Sequence, residues 1–261
     1  MSGALCCLAI SAAAAAPVCT LLVEAGSGKV VERQGGGCET RNSPASTFKI
    51  AIAVMGYDAK ILGGAHAPAW PYRPEYEAWM DSWKTTVDPT RWLRDSVVWY
   101  SREITRRLGA ARFQAGVDRL DYGNRDLSGD PGKHNGLTNA WLSSSLKISP
   151  AEQVAFLRRL LNHQAPVSRA AIDRTAEIMP QYPLPNGWTV HGKTGTGFQR
   201  AADGKTDPDR QFGWFVGWVE KGQRRLVFAR LIQDERRNEY RAGLRARDSV
   251  LADLPRLLPD R

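Results

Sequence analysis

The stretch Ser46-Thr47-Phe48-Lys49 is followed by an apolar run, Ile50 to Met55, that is typical of a buried helix. On a helix, residues three positions apart share a face, so the Ser46 hydroxyl and the Lys49 amine would point the same way. A hydroxyl in the first turn lies near free backbone N–H groups and the positive end of the helix dipole, which suits a nucleophile whose product carries an oxyanion. An amine buried among apolar side chains loses its charge and can act as a base. The spacing therefore predicts a serine nucleophile paired with a lysine base.

A second Ser-x-x-Lys match, Ser144 to Lys147, shows that the pattern alone is weak, because one of the two copies must be chance. Either copy, taken alone, is also compatible with a helix cap and a surface lysine. Context favours the first copy. Pro44 before Ser46 is a helix-start signal and a long apolar helix follows, whereas Ser144 precedes a helix break at Ser149-Pro150.

The stretch Lys193-Thr194-Gly195 has two competing interpretations. With Gly187 it matches the phosphate-loop pattern G-x-x-x-x-G-K-T, which would indicate a nucleotide phosphatase. The four variable positions, Trp188 to His191, favour a strand rather than a flexible cradle, and Gly187 is better explained by an Asn-Gly turn. We therefore expect an edge strand beside the Ser46 helix, where a lysine and a hydroxyl hold a substrate carboxylate and Gly195 permits close backbone approach.

Composition indicates an ordinary globular protein and excludes several classes. Of 261 residues, 43% are hydrophobic and 24% charged, and the net charge of +9 comes from scattered basic residues. No nucleic-acid motif accompanies that charge, so neither nucleic acid nor a membrane is expected as a partner. There is no G-x-S-x-G nucleophile motif, and the four histidines are too dispersed to suggest a zinc site, so no metal is expected.

Residues 1–16 are interpreted as a signal peptide. They are apolar, end in small residues and are too short to span a bilayer, although no Lys or Arg lies near the start. Export to the periplasm follows from this interpretation. Cys19 does not resemble a lipid-anchor cysteine, because Val18 before it is not small.

The mature chain then keeps two cysteines, Cys19 and Cys38, since Cys6 and Cys7 lie in the signal peptide. In an exported protein an even number of cysteines indicates a disulfide. The alternative is a pair of buried free thiols.

Strand patterns occur at both ends of the chain and helical patterns lie between them. This predicts an α/β fold of the α+β type, with an antiparallel sheet formed by both chain ends and flanked by helices. Residues 17–261 form a single domain, with a helical region at about 56–184 inserted in the sheet. The predicted elements are a β-hairpin at Cys19–Glu32, helices at 91–108, 150–162, 168–179 and 245–258, and strands at 188–191, 213–220 and 225–232.

Further motifs complete a resemblance that spans nearly the whole mature chain. They are Ser96-Val97-Val98, predicted to lie mid-helix, Tyr122-Gly123-Asn124 in a loop, Trp141 to Ser149, and Gly213 to Trp218. Together with Pro44 to Lys49 and Lys193 to Gly195, in this order, they resemble the class D serine β-lactamases, the oxacillinases. Class A enzymes would show Ser-Asp-Asn instead of Ser-x-Val. The resemblance implies a β-lactamase/transpeptidase-like fold and a small-molecule β-lactam substrate.

The resemblance also implies roles for individual residues. Ser46 would attack the β-lactam carbonyl and carry the acyl group. Lys49 is expected to be carboxylated by CO2, its carbamate acting as the base, so that no separate cofactor is needed. Ser96 would relay a proton to the lactam nitrogen, with Lys193 nearby.

The remaining roles concern the walls of the site. Val98, Trp141 and Leu142 would enclose the carbamate, with the Trp141 N–H bonded to one of its oxygens. Backbone N–H groups of Ser46 and Thr196 would form the oxyanion hole. Thr194 and an arginine of the last helix would hold the substrate carboxylate, and Arg245 fits that arginine better than Arg247.

Two other functions remain open from the sequence. A β-lactam sensor domain resembles class D enzymes but acylates without turnover, and it belongs to proteins with several membrane-spanning helices. A peptidoglycan transpeptidase is disfavoured by Ser-x-Val. Turnover of a chromogenic cephalosporin separates the hydrolase from both.

Overall fold

The fold is built on one six-stranded antiparallel sheet. A computed structural model describes residues 17–201 and 203–258. The strands are ordered β2-β1-β6-β5-β4-β3 across the sheet, so a strand from the start of the chain pairs with one from its end. This confirms the predicted fold class. The strand bounds are β1 Pro17–Glu24, β2 Val30–Gln34, β3 Gln181–Pro183, β4 Thr189–Arg200, β5 Thr206–Lys221 and β6 Arg224–Gln233.

In the part of the chain that the structure describes, six of the seven α-helices lie in the sequence between β2 and β3, and the seventh follows β6. A 3-10 helix, Ala45–Phe48, runs directly into the first of them, and a second 3-10 helix spans Asp81–Trp83. The α-helices are α1 Lys49–Asp58, α2 Pro89–Asp95, α3 Val98–Arg119, α4 Gly136–Asn139, α5 Pro150–Leu161, α6 Arg169–Glu177 and α7 Ala242–Leu257.

The sheet is buried on both faces. Along β5, Trp214 and Val216 pack into the core shared with α1, α3 and α5, whereas Phe215 and Val219 pack into a smaller core beneath α7. This alternation follows from the two-residue repeat of a strand. On α7 the buried residues recur every four positions, the period of one helix face, at Ala242, Ala246, Val250 and Leu254.

Helix α1 is buried on all sides, which explains why its sequence is a continuous apolar run. Every residue from Lys49 to Tyr57 is buried, and the helix packs against α3 and α6. Lys49 is the one charged residue within that buried span, so the fold encloses a lysine that would ordinarily lie at the surface.

The predicted single helix at 91–108 is wrong in two places. Asp88 caps the start, its carboxylate accepting the Arg91 N–H at 2.7 Å, but α2 ends at Asp95 and Ser96 follows in the left-handed region, with φ 59°. Ser96 therefore lies in a break between two helices rather than mid-helix. Gly109 has φ 74° and kinks α3, which continues past the predicted end to Arg119.

A disulfide joins Cys19 and Cys38, as predicted, with an S–S distance of 2.00 Å. It links β1 to the loop that leads to the Ser46 turn, and both cysteines are fully buried. The predicted signal peptide, residues 1–16, lies outside the described residues. Within the described residues, none of the helices combines the length and apolar character that a membrane crossing needs.

Replacing both cysteines with alanine should lower the free energy of unfolding by about 3 kcal/mol, because the bond closes a loop with a sequence separation of 19. Urea unfolding of the double variant and the parent measures the difference. Equal stability of the two proteins would contradict the expectation, as would two free thiols in peptides mapped from non-reduced periplasmic material.

Candidate active site

Ser46 and Lys49 meet at the junction of the 3-10 helix and α1. The Lys49 Nζ lies 3.0 Å from the Ser46 Oγ and donates a hydrogen bond to it. The tight first turn brings the two side chains onto one face, as the spacing predicted. The Ser46 N–H lies in this first turn, where backbone N–H groups have no partner within the helix. A hydroxyl in contact with an amine, beside a free N–H, is a suitable arrangement for nucleophilic attack on a carbonyl.

The second Ser-x-x-Lys copy has no such geometry. The Ser144 hydroxyl donates to the Asp130 carboxylate at 2.8 Å, and Lys147 is exposed to solvent. Asp130 also accepts hydrogen bonds from Asn135 and Asn139, so Ser144 belongs to a network that ties one loop together. The choice of Ser46 over Ser144 therefore agrees with the contacts each serine makes.

Burial controls the charge of Lys49. Its side chain is fully enclosed, and desolvation, followed by repulsion from Lys193 and Arg102, holds the pKa of Lys49 well below its ordinary value. Within the described residues no carboxylate pairs with it. A neutral amine at this position can accept the Ser46 proton or react with CO2, two reactions that an ammonium group cannot perform.

Ser96 and Lys193 form a second serine–lysine pair. Lys193 Nζ lies 3.0 Å from the Ser96 Oγ and 3.0 Å from the Thr194 carbonyl oxygen. Burial alone lowers the pKa of Lys193 to about 7, so this amine gains and loses its proton near neutral pH. The break between α2 and α3 is what turns Ser96 toward β4. The structure thus brings together the predicted proton-relay residues, which are far apart in sequence.

Strand β4 pairs with β3 at residues 189–191, and beyond this short pairing the same edge of β4 faces the Ser46 turn. Gly192 N–H donates to the Pro180 carbonyl at 3.0 Å and Phe198 N–H to the Ser143 hydroxyl at 3.1 Å, both away from β5. Backbone N–H groups alternate in direction along a strand, so residues an even number of positions apart direct their N–H groups to the same edge. Thr196 is four positions from Gly192 and two from Phe198, and its N–H therefore points to this edge as well. This is the orientation that a second oxyanion donor requires.

Gly195 lies directly against the Ser46 turn. A Cβ at this position would lie 3.0 Å from the Pro44 carbonyl oxygen and 3.2 Å from the Thr47 backbone nitrogen. The glycine therefore lets β4 pack closely against the Ser46 turn, and the expected approach of a substrate backbone stays a prediction. Thr194 and Thr196, on either side of it, line the open cavity.

Trp141 and Val98 are buried and Leu142 is half-buried near the serine–lysine turn. The Trp141 ring packs on Phe48, which precedes Lys49, with 5.7 Å between ring centroids, and edge-on against Phe113 at 6.3 Å. The Trp141 Nε1 is buried and has no hydrogen-bond partner among the described residues. A buried indole N–H without an acceptor is costly, so an acceptor is expected at this position.

The cavity over Ser46 has a volume of about 470 Å³. Apart from the predicted residues, its walls include Trp79, Met80 and Trp83, which lie in the segment between α1 and α2. The two tryptophan rings lie 5.8 Å apart, and Trp79 is about half exposed. They provide an apolar wall for a small organic substrate.

Neither predicted carboxylate-binding arginine lines this cavity. Arg245 donates to the Tyr240 carbonyl at 2.8 Å and pairs with the buried Asp234 carboxylate, and Arg247 lies over the Tyr182 ring at 5.8 Å. Arg241, at the start of α7, does line it, with Nη2 3.0 Å from the Met80 sulfur. Sequence reasoning missed Arg241 because an arginine-rich stretch gives no signal of which guanidinium faces the cavity.

The two serine–lysine pairs and the Lys-Thr-Gly strand define a serine acyl-transfer site of the penicillin-recognising class. In agreement, residues 19–256 match the family model of the penicillin-binding protein transpeptidase domain. Among residues 17–201 and 203–258, no group of three or more His, Cys, Asp or Glu is placed to hold a metal ion.

Within that class the similarity is to one branch. The chain is 46% identical over 241 residues to β-lactamase OXA-9 of Klebsiella pneumoniae, covering 92% of this chain and 88% of that protein. It is 36% identical over 238 residues to β-lactamase OXA-1 of Escherichia coli, covering 90% and 83%. The crystal structure of the class D β-lactamase OXA-427 superposes with a TM-score of 0.86 at 49% identity, covering 92% of this chain and 98% of that one. The chain belongs to the class D β-lactamase family.

Proposed function

We propose that this chain hydrolyses β-lactam antibiotics through an acyl-enzyme on Ser46. The observation that carries the proposal is the 3.0 Å contact between the Ser46 hydroxyl and a fully buried Lys49 whose pKa is lowered. Family membership supports the substrate class and the reaction. A periplasmic location is part of the proposal, supported by the apolar residues 1–16 and by the disulfide.

In acylation, the Ser46 oxygen attacks the lactam carbonyl as its proton passes to the base at Lys49. The N–H groups of Ser46 and Thr196 stabilise the oxygen that becomes negative. The lactam nitrogen, as it leaves, takes a proton from the Ser96 hydroxyl, which Lys193 replenishes. A pKa of about 7 suits Lys193 to this transfer. We place the substrate carboxylate between the Thr194 hydroxyl and Arg241, the arginine of this region that faces the cavity.

The proposal includes a CO2-derived carbamate on Lys49. Two features of the site fit it: a neutral amine and the unsatisfied Trp141 N–H, which can donate to a carbamate oxygen. Val98 and Leu142 would form its apolar walls. When present, this group supplies the general base for acylation and for the water that releases the product. The buried donor is significant because an anion in a poorly solvated pocket needs hydrogen bonds to persist.

Turnover of a chromogenic cephalosporin tests the function directly. A hydrolase converts many equivalents of substrate per enzyme molecule. The competing function, a sensor that acylates and stops, would release colour equal to one equivalent of protein and then nothing. A single-equivalent burst with a persistent acyl adduct by mass spectrometry would overturn the hydrolase proposal.

The carbamate predicts a specific response to CO2 and pH. CO2 reacts with the neutral amine, and acid both protonates Lys49 and decomposes carbamates, so activity should fall as pH is lowered. Return to neutral pH with bicarbonate should restore it in a slow phase. 13C NMR with labelled bicarbonate is the direct measurement. A fully active sample without a carbamate signal would leave unmodified Lys49 as the base.

Replacing Trp141 with phenylalanine removes the proposed donor while keeping most of the ring packing. We expect deacylation to slow by about tenfold or more and acylation to slow less, because a lost hydrogen bond to a charged group costs about 1.5–3 kcal/mol. Single-turnover and steady-state kinetics separate the two steps. Trp188→Phe is the matched control, since Trp188 is also a fully buried tryptophan but packs in the smaller core beneath α7. Equal slowing of both steps by Trp141→Phe would argue against a donor role.

A further inference from the structure

Ser43 is a buried serine that the reaction scheme above does not use. Its hydroxyl donates to the Trp141 carbonyl at 2.9 Å and accepts the Ser143 N–H at 3.0 Å. The serine is 4% exposed, so no solvent replaces either bond if the hydroxyl is removed. One hydroxyl thus holds both ends of the short segment 141–143, from a position just before the Ser46 turn.

Ser43 itself is held firmly. Its carbonyl accepts the Trp214 indole N–H at 2.9 Å, and its own N–H donates to the Asn42 side chain at 2.9 Å. Asn42 in turn pairs with Ile148 through two backbone hydrogen bonds of 2.8 and 2.9 Å. The hydroxyl therefore projects from a rigid point between β5 and the loop that carries Trp141.

The segment 141–143 has one further anchor. Ser143 has φ 53° and binds β4, its hydroxyl accepting the Phe198 N–H and its carbonyl accepting Arg200 Nε at 2.7 Å. These contacts hold the end of the segment, whereas the backbone of Trp141 is held by Ser43. A hydrogen bond weakens within a few tenths of an ångström, so the placement of this backbone matters for the indole N–H.

We propose that Ser43 is a positioning residue for Trp141: its hydroxyl sets the Trp141 backbone so that the indole N–H meets the group carried by Lys49. This inference rests on the proposed carbamate. It predicts that loss of the hydroxyl weakens CO2 binding rather than the chemistry performed once CO2 is bound. Removing the hydroxyl leaves a buried carbonyl and a buried N–H unpaired, and the segment can relieve this by shifting away.

The experiment is a bicarbonate titration of activity with CO2-depleted enzyme. For Ser43→Ala we expect the half-saturating bicarbonate concentration to rise about tenfold, the equivalent of one moderate hydrogen bond, with kcat at saturation within about threefold of the parent. Because alanine leaves two groups unpaired and the variant could fail to fold, Ser43→Thr and Ser43→Val form a second, isosteric pair that differs in the hydroxyl. The threonine variant should need less bicarbonate than the valine variant.

Thr175→Val provides the structural control. Thr175 is also buried and donates to the Ala171 carbonyl at 2.8 Å, but it lies in α6, away from Trp141. Its variant should lose thermal stability without changing the bicarbonate requirement. If Ser43→Ala or Ser43→Val titrates like the parent, the positioning role is refuted while the carbamate stands. If the parent itself neither responds to bicarbonate nor shows a carbamate by 13C NMR, the carbamate is refuted and this inference with it.

Discussion

Replacing Ser46 with alanine is expected to abolish acylation, with a fall in kcat on the order of 10^5-fold or more. The oxygen lost is the atom that forms the covalent bond, and no other group takes its place beside the Lys49 amine at 3.0 Å. Intact-protein mass after exposure to a penicillin gives the result directly: the parent should gain the mass of one substrate molecule and the variant none.

Ser144→Ala is the matched comparison, since it removes the hydroxyl of the second Ser-x-x-Lys copy. That hydroxyl is bonded to Asp130 and its lysine is exposed, so acylation should persist in this variant. A mass adduct that survives in Ser46→Ala and disappears in Ser144→Ala would show that the nucleophile had been assigned to the wrong copy.

The second large effect concerns Lys49→Met, which should have opposite consequences for activity and stability. Turnover should fall by about 10^4-fold or more because the base for both steps is gone. In CO2-free buffer the free energy of unfolding at neutral pH should rise by about 1–3 kcal/mol, because a fully buried amine is replaced by an apolar side chain of similar length.

The lowered pKa of Lys49 also makes the free energy of unfolding of the parent depend on pH. The native pKa of Lys49 is well below its ordinary value, so between these two pKa values the unfolded chain binds a proton that the native chain does not. Stability of the parent therefore rises with pH across that window. Lys49→Met removes the contribution of Lys49 to this rise, while the lowered pKa of Lys193 leaves its own. Lys147→Met, at an exposed position, should change neither activity nor stability appreciably. Urea unfolding at several pH values measures all three proteins, and a destabilised Lys49→Met would refute the expectation.

The sheet, the helical insertion and the serine–lysine turn could be predicted because each has a local signature. Each pattern follows from where its own residues lie in the fold. Examples are the apolar run after Lys49, the alternating residues of β5 and the Lys-Thr-Gly strand. The disulfide could be predicted because two cysteines lie beyond the predicted signal peptide. Roles within the site were taken from a family resemblance, and they stay predictions until the experiments above are done.

Features that depend on contacts between distant segments could not be predicted. The left-handed conformation of Ser96 is stabilised by its place between α2, α3 and β4, and nothing in Asp95-Ser96-Val97 forbids a continuous helix. The close packing of Gly195 on the Ser46 turn joins residues that are far apart in the chain. Arg241 lines the cavity, whereas Arg245 pairs with Asp234, a buried carboxylate beyond the end of β6.

The order of strands in the sheet has a consequence for how the chain acquires its structure. Strand β1 lies between β2 and β6, with Leu21 opposite Ala229. One edge of β1 therefore pairs with the neighbouring strand β2, and the other stays unpaired until β6, more than 200 residues later, is in place. Contacts between such distant residues make folding slow, because a long loop must close before they form. Ser96 and Lys193 also belong to segments far apart in the chain, so the site is complete only when β4 has packed beside the helices. A chain truncated before β6 would leave one edge of β1 unpaired and open to aggregation.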